Sequence, residues 1–500
     1  MNLNLFPEDI REHILPEPGG DLFYKCISCG AEYGIDALLY VCPECDHVLL
    51  IEDRLKDRLK AIDGHTWQRI FDYRKMVKLP ALKGIYRYHE FIGPAIPLSS
   101  ILYLGEGHTP MVEANDRLQE KAGVTFFYKN DGQNPSASFK DRGMASALSS
   151  IKFLLDTGRV SDVISICAST GDTSAAAALY AAYLGPLIKS AVLLPHKKVT
   201  SAQLAQPLGS GAKVFEIPGV FDDCMKVVEH LSGKYPVVLL NSKNAWRILG
   251  QESYAYEIAQ DFDWDMAGKV IVVPIGNAGN ISAIMNGILK FHDMGIIHCL
   301  PKIIGVQSEH ADPVYQYYLE SDENKRKFSP VDTQPSVAQA AMIGNPVSMP
   351  RVVKIAREYD ALAGSRKVFV VQVKEQEIMD WQLTANRNGH ITCTQGGECL
   401  AGIVRAKADG LVNDSETAVL DATAHAIKFS GFQELYFNKE IPEPYGITPD
   451  DKLINLPKLI TLDDPNLTPS QEKRLDANDF NQFVDEVSRK IATQLGLSIK

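Results

Sequence analysis

Asn134-Pro-Ser-Ala-Ser-Phe-Lys-Asp-Arg-Gly143 places one lysine, Lys140, among small and polar residues where a loop gives way to a helix. The run just before it, residues 126–128, is aromatic and β-like. The lysine therefore falls beyond the end of a strand, where α/β proteins bind ligands. Lysine forms Schiff bases with carbonyl compounds. Taken alone, the segment reads equally as a reactive lysine or as one half of a structural ion pair, and the loops downstream bear on the choice.

Apolar runs at 163–167, 191–194, 237–240, 270–274, 303–306, 368–371 and 418–420 alternate with longer helical stretches. That alternation predicts an α/β body with mostly parallel sheets. Ile271-Val-Val-Pro-Ile-Gly-Asn-Ala-Gly-Asn280 is a strand running into a small-residue loop, with a helix expected over 281–291. Such a loop aims backbone N–H groups from a helix N-terminus, a ready seat for phosphate. It matches neither GxGxxG nor a Walker loop, and a plain tight turn is the alternative reading. Ile164-Ser-Ile-Cys-Ala-Ser-Thr-Gly-Asp-Thr-Ser174 could cradle a carboxylate, or could simply cap the following Ala-rich helix through Asp172 or Thr173. Asn241-Ser-Lys-Asn-Ala-Trp-Arg247 gathers Lys243, Arg247 and two amides after a strand. It reads either as an anion grip, with Arg binding bidentately, or as a solvated helix start. Gly209-Ser-Gly-Ala-Lys213 fails the Walker pattern and reads as a turn. A lysine, a phosphate-type loop, a carboxylate-type loop and a basic turn, all at strand C-terminal ends, are most economically explained by a phosphorylated carbonyl cofactor and a small anionic substrate.

Composition narrows the partners. The chain has 500 residues, is 45% hydrophobic and carries a formal net charge of -11. It can bury a large core, and its charge argues against nucleic acid or an anionic membrane as a partner. Residues 1–13 lack the basic and apolar segments of a signal peptide. The apolar run at 175–194 is broken by Gly185, Pro186 and Lys189, so it reads as a helix plus a strand rather than a membrane span. A cytoplasmic protein is expected.

Four of the nine cysteines form two CxxC knuckles, Cys26/Cys29 and Cys42/Cys45, with twelve residues between them. Each knuckle brings two thiolates to one point, which suits a structural zinc site. Neighbouring Gly30 and Pro43 supply tight turns. Cys167, Cys224, Cys299, Cys393 and Cys399 are scattered and read as small buried apolar residues. The expected organisation is a zinc-ribbon-like module over 1–50, a helical arm over 51–107 and an α/β catalytic body over 108–440. The body would have two subdomains, the smaller at about 150–240. A C-terminal extension over 441–500 would carry a surface helix from 469 to about 495, beginning at the capping-box-like Thr468-Pro-Ser-Gln471.

Gly105-Glu-Gly-His-Thr-Pro110, Ser138-Phe-Lys-Asp-Arg142, Ser169-Thr-Gly-Asp-Thr-Ser174, Gly276-Asn-Ala-Gly-Asn280 and Ala422-Thr-Ala-His425 together resemble the threonine synthase family. These are pyridoxal 5'-phosphate enzymes of fold type II, the tryptophan-synthase-β fold. The likeness covers about 105–435, and plant-type members also carry a zinc-ribbon-like N-terminus. The resemblance implies that Lys140 holds the cofactor as a Schiff base and then acts as general base. It implies that Gly276, Asn277, Ala278, Gly279 and Asn280 bind the cofactor phosphate. Thr423 would meet the pyridine nitrogen, a neutral partner that leaves a weaker electron sink suited to controlled elimination. Asp172 would face the cofactor's phenolic oxygen, where its charge must be neutralised. Ser169 and Thr170 would hold the substrate carboxylate, and Asn241 and Arg247 its phosphate. The implied reaction is a carbon–oxygen lyase step, O-phospho-L-homoserine plus water giving L-threonine and phosphate. Cysteate synthase chemistry, phosphoserine plus sulfite, is the alternative on the same scaffold. A zinc-ribbon interaction protein with an inactive body is the alternative from another class. By analogy, the fold implies a homodimer.

Overall fold

The computed structural model describes residues 2–161, 163–169, 171–196, 201–219, 221–470 and 474–498. The described strands are β1 (Leu22–Cys26), β2 (Glu32–Gly34), β3 (Leu49–Asp53), β4 (Met111–Glu113), β5 (Thr125–Lys129), β6 (Ile164–Ala168), β7 (Lys189–Pro195), β8 (Lys213–Ile217), β9 (Val237–Leu239), β10 (Lys269–Pro274), β11 (Lys302–Ser308), β12 (Val368–Val373) and β13 (Thr417–Asp421). They form an antiparallel sheet in the order β2-β1-β3, a large sheet β12-β11-β10-β13-β5-β4 and a smaller sheet β8-β7-β6-β9. The smaller sheet is parallel throughout, and the large one is parallel except at its β4 edge. This is an α/β architecture with mostly parallel sheets, as the sequence predicts. The apolar runs all became strands. Within the two larger sheets, the strands missing from the sequence reading are the edges β4 and β8; β8 has only exposed and half-buried residues, so it carries no apolar run.

The first sheet of the body and the second are joined by two helices, Lys140–Asp156 and Ala245–Gln251, that touch at glycine. A Cβ on Gly250 would lie 2.3 Å from the Arg142 carbonyl oxygen, and one on Gly143 would meet Arg247 at 3.1 Å. This close approach brings the Arg247 helix against the start of the Lys140 helix. The first turn of the Lys140 helix is anchored by Arg142, fully buried, whose guanidinium donates to Asp131 at 2.8 Å and to Glu257 at 2.8 Å. Thr109 completes this network by donating to Asp131 at 2.7 Å, which ties in the Gly105–Pro110 loop.

Segment 51–107 supplies one longer helix, Gly64–Arg74, and otherwise short turns. It is a wall of the core rather than an arm: Trp67 and Phe71 are buried, stacked on one another at 5.5 Å, and Phe71 stacks on Phe291 at 6.0 Å. Residues Met1–Thr448 and Pro449–Lys500 are separate compact units. In the second unit the helix spans Ala477–Leu495, not 469–495. Asp476 caps it, accepting from the Asn478 and Asp479 amides, whereas Thr468 closes the 3-10 turn Pro465–Leu467. Gln471 of the expected capping box lies outside the described residues. Among the described residues, no helix is long and apolar enough to cross a membrane.

Candidate active site

Lys140 opens its helix, and the loop before it is laced to the segment after β13. The Phe139 amide donates to the Thr423 carbonyl at 2.8 Å, the His425 amide to the Ala137 carbonyl at 3.1 Å, and Ser138 pairs with Ala424. Gly132 is required beneath this lacing, because a Cβ there would lie 2.6 Å from the His425 nitrogen. Lys140 and Thr423, distant in sequence, are thus held side by side. Lys140 Nζ lies 3.9 Å from the Phe139 ring centre. It has no hydrogen-bond acceptor among the described residues. Burial, and then the nearby Arg247 guanidinium, lower its pKa to about 7, against the pull of Asp172 and Asp421. A structural lysine would have a carboxylate in contact; this one is partly neutral near pH 7, as a Schiff-base or general-base lysine needs.

The loop after β10 has the features of a phosphate seat. Ala278 is left-handed, with φ 60°, and caps the helix Gly279–Asp293. The backbone N–H groups of Gly276 through Asn280 donate to no acceptor among the described residues. A Cβ on Gly276 would press against the Ala341 Cα at 3.0 Å and the Ala340 carbonyl oxygen at 3.1 Å, so a side chain fits there only if that backbone gives way. The Asn280 side-chain nitrogen donates to Asp421 at 2.7 Å, while its side-chain Oδ1 is buried without a partner among the described residues. Asp421 is fully buried; burial and then Asp131 push its carboxyl well above the usual range.

Arg247 is 2% exposed and faces no carboxylate. One Nη donates to the Leu240 carbonyl at 3.3 Å, and its Nε is unpartnered. Burial lowers its guanidinium to about 10. A buried guanidinium that faces no carboxylate and keeps an unpartnered Nε is a costly arrangement that an anion would relieve. Asn241 keeps its amide nitrogen on a weak thioether contact with Met225 at 3.7 Å, while its oxygen accepts from the Lys243 amide. The other polar members of that turn are structural. Lys243 pairs with Glu229 at 2.5 Å, and Asn244 caps the helix through the Trp246 and Arg247 amides.

Ser169 accepts from the Gly171 amide at 3.2 Å, at the N-terminus of the helix Asp172–Leu184, which has no side-chain cap. Thr170 lies outside the described residues. Asp172 does not cap the helix as one reading allowed. It pairs at 2.9 Å with Lys428, which also donates to the Ser136 carbonyl at 2.8 Å. Lys428 is the neutralising partner that the sequence left unnamed. Three further residues went unnoticed: Asp421, and the buried acids Glu106 and Asp141, each pushed by burial to about 7. Asp141 and Glu106 lie inside quoted motifs, so the signal was present; Lys428 had none. Of the scattered cysteines, Cys299 is exposed, correcting its buried reading, while Cys393 lies 3.5 Å from the Thr423 hydroxyl.

These donors fit a phosphorylated carbonyl group held by Lys140, with free N–H groups for its phosphate. The comparisons with known proteins agree. Residues 102–423 match the family model described as pyridoxal-phosphate dependent enzyme. The threonine synthase of Methanocaldococcus jannaschii is 35% identical over 410 residues, covering 81% of this chain and 93% of that protein. The chain belongs to the threonine synthase family of pyridoxal-phosphate-dependent enzymes. The chloroplastic threonine synthase 2 of Arabidopsis thaliana is 33% identical over 393 residues, covering 77% of this chain and 72% of its own. The crystal structure of Escherichia coli threonine synthase has the same fold, with a TM-score of 0.61 at 20% identity, covering 87% of this chain and 93% of that one.

The Sγ atoms of Cys26, Cys29, Cys42 and Cys45 lie within 4.8 Å of one another. Neighbouring pairs are 3.4 to 3.6 Å apart, too far for disulfides. Four thiolates around zinc at about 2.3 Å would be about 3.8 Å apart, close to this spacing. The Tyr33 hydroxyl sits 3.2 Å from Cys42 Sγ, as an outer partner would.

Proposed function

We propose that the protein converts O-phospho-L-homoserine and water to L-threonine and phosphate. One observation carries the reading: an unpaired, buried guanidinium, Arg247, beside an unpaired lysine, Lys140. Pyridoxal 5'-phosphate, when held at Lys140, supplies an electron sink for removal of protons next to an amino group. Gly276, Asn277, Ala278, Gly279 and Asn280 would hold its phosphate, and the Thr423 hydroxyl would be the partner for its ring. Lys428 keeps Asp172 neutralised by pairing, so that a carboxylate can stand beside the cofactor's phenolic oxygen. Ser169 and Thr170, at a helix N-terminus, hold the substrate carboxylate. Arg247 and Asn241 hold the substrate phosphate and retain it as it leaves. Lys140, brought to about 7, would take protons from the substrate's α- and β-carbons and return one to the α-carbon and one to the γ-carbon that loses phosphate. Water would add its hydroxyl at the β-carbon, and its remaining proton would go to the departing phosphate. Supporting the phosphate role is the energetic point that a dianion would offset the cost of burying Arg247.

The same reading includes a structural zinc held by Cys26, Cys29, Cys42 and Cys45, a homodimer, a cytoplasmic location and no nucleic-acid or membrane partner. Metal analysis of purified protein should return one zinc per chain, lost on substitution of Cys26 by Ser. The functional test is phosphate release and amino-acid product from cofactor-loaded protein given O-phosphohomoserine, with O-phosphoserine plus sulfite in parallel. Threonine plus phosphate, abolished by Lys140→Ala, is expected. Cysteate from the second mixture, with silence in the first, would overturn the substrate while leaving the family intact.

A further inference from the structure

Arg351 lies outside every motif of the active site, in the helix Met349–Ala363, and is fully buried. It faces no carboxylate. Its guanidinium instead donates to three backbone carbonyls and one hydroxyl. Nη2 donates to the Leu49 carbonyl at 2.7 Å, with Nε at 3.2 Å from the same oxygen. Nη1 reaches the Ser242 carbonyl and Nη2 the Lys243 carbonyl, both at 3.2 Å. Nη1 also donates to the Ser348 hydroxyl at 2.8 Å. The Ser348 amide in turn donates to the Asn277 carbonyl at 3.1 Å.

The partners belong to three separate pieces of the molecule. Leu49 is the residue opposite Cys26 in the β1–β3 register, so it sits directly on the cysteine-bearing sheet. Ser242 and Lys243 form the turn between Asn241 and Arg247. Asn277 belongs to the loop after β10. Apolar packing runs along the same seam: Leu50 and Ile27 contact Ile248 and Ala283. The Trp246 indole N–H donates to the Tyr24 hydroxyl at 3.1 Å. A planar fork with five donors can bind several carbonyls in fixed directions, which lysine cannot do.

We infer that Arg351 is a positioning residue that locks the Asn241–Arg247 turn and the Asn277 loop to the N-terminal sheet, setting the spacing between the two anion seats. The inference rests on the phosphate roles proposed above for Arg247 and the 276–280 loop. Arg351 touches neither anion itself. Its burial without a counter-charge brings its guanidinium down to about 9. A core filler would not need to bear that cost, because an aliphatic side chain packs there without it.

The test uses full-length protein carrying Arg351→Ala, Arg351→Lys and Ser348→Ala. Three quantities are read: the dissociation constant for inorganic phosphate, that for pyridoxal 5'-phosphate, and KM and kcat with O-phosphohomoserine. Arg351→Ala should weaken both ligands and raise KM on the order of tenfold, as a displacement of the seats would. Guanidinium ion added at millimolar concentration should restore phosphate affinity, and Arg351→Lys should not. Ser348→Ala, which removes one contact and leaves a folded core, should weaken pyridoxal 5'-phosphate more than inorganic phosphate. Wild-type affinities in Arg351→Ala would overturn the inference. If Arg351→Ala does not fold, wild-type pyridoxal 5'-phosphate affinity in Ser348→Ala overturns it instead. The binding constants do not depend on the substrate, so failure of the wild-type protein to turn over O-phosphohomoserine would be seen separately.

Discussion

Replacing Arg247 by Met should make the protein more stable and its phosphate affinity much weaker. A guanidinium ordinarily titrates above 12, and burial brings this one to about 10. At about 1.4 kcal/mol per factor of ten, the folded state bears about 3 kcal/mol to hold the charge. Methionine is close in length, apolar and adaptable, so it fills the space without that cost. Against the gain stands one hydrogen bond, Nη1 to the Leu240 carbonyl at 3.3 Å, worth about 1 kcal/mol. The net expectation is a stabilisation of about 1–2 kcal/mol, read as a higher urea midpoint at unchanged slope. Inorganic phosphate should bind more weakly by about 1.5–3 kcal/mol, the range of a charge-assisted hydrogen bond, which is a loss of about tenfold to 150-fold. Removing the cation should also raise the Lys140 pKa, because Arg247 is the leading charge that lowers it. A variant that unfolds more easily and binds phosphate normally would refute the reasoning, since Arg247 would then be a structural residue.

Four further outcomes are expected. The amine-labelling rate of Lys140 in cofactor-free protein should rise through a midpoint of about 7, and a midpoint near that of free lysine would mean the site is wetter than its geometry. Lys428→Met should lower the unfolding free energy, read from urea titration, by about 3 kcal/mol, because Asp172 is left buried and unpaired. Combining it with Asp172→Asn should regain most of that loss, and no regain would show the pair to be uncoupled. Glu106 has a folded pKa of about 7, above its ordinary 4.5. The folded state therefore binds the extra proton between those values, and stability falls as pH rises from about 4.5 to 7. Glu106→Gln should thus stabilise at pH 8 and lose that advantage toward pH 4; an equal effect at both would remove burial as the cause. Finally, stripping metal from the four-cysteine cluster should lower the thermal midpoint of the N-terminal sheet, and an unchanged midpoint after proven deprotection of the cysteines would remove the zinc reading.

Much of the site was legible before the fold. Residues that need particular local chemistry leave local marks: small residues where backbone N–H groups must converge, glycine where another chain segment passes within van der Waals distance, and two CxxC turns where thiolates meet. That is why Lys140, the 276–280 loop and Cys26, Cys29, Cys42 and Cys45 stood out. The parallel sheets were legible for a related reason, since strands buried on both faces read as continuous apolar runs. Where a strand lay exposed at an edge, as with β8, the run vanished and the strand was missed.

The sequence alone could not say which charges would find partners. Lys243 and Arg247 lie in one turn with the same sign, yet Lys243 is spent on Glu229 while Arg247 has no carboxylate in reach. Asp172 could cap a helix or pair with a cation, and the fold brought Lys428 to it. Arg351 had no motif at all, and became the junction of residues 49, 242–243 and, through Ser348, 277. The physical reason is common to all three. Local sequence fixes the shape a short segment prefers, through propensity, turn geometry and hydrophobic period. The environment of a charge depends on groups on other elements, from the neighbouring helix for Lys243 to segments hundreds of residues away for Asp172 and Arg351, and only the packing of the whole chain selects them.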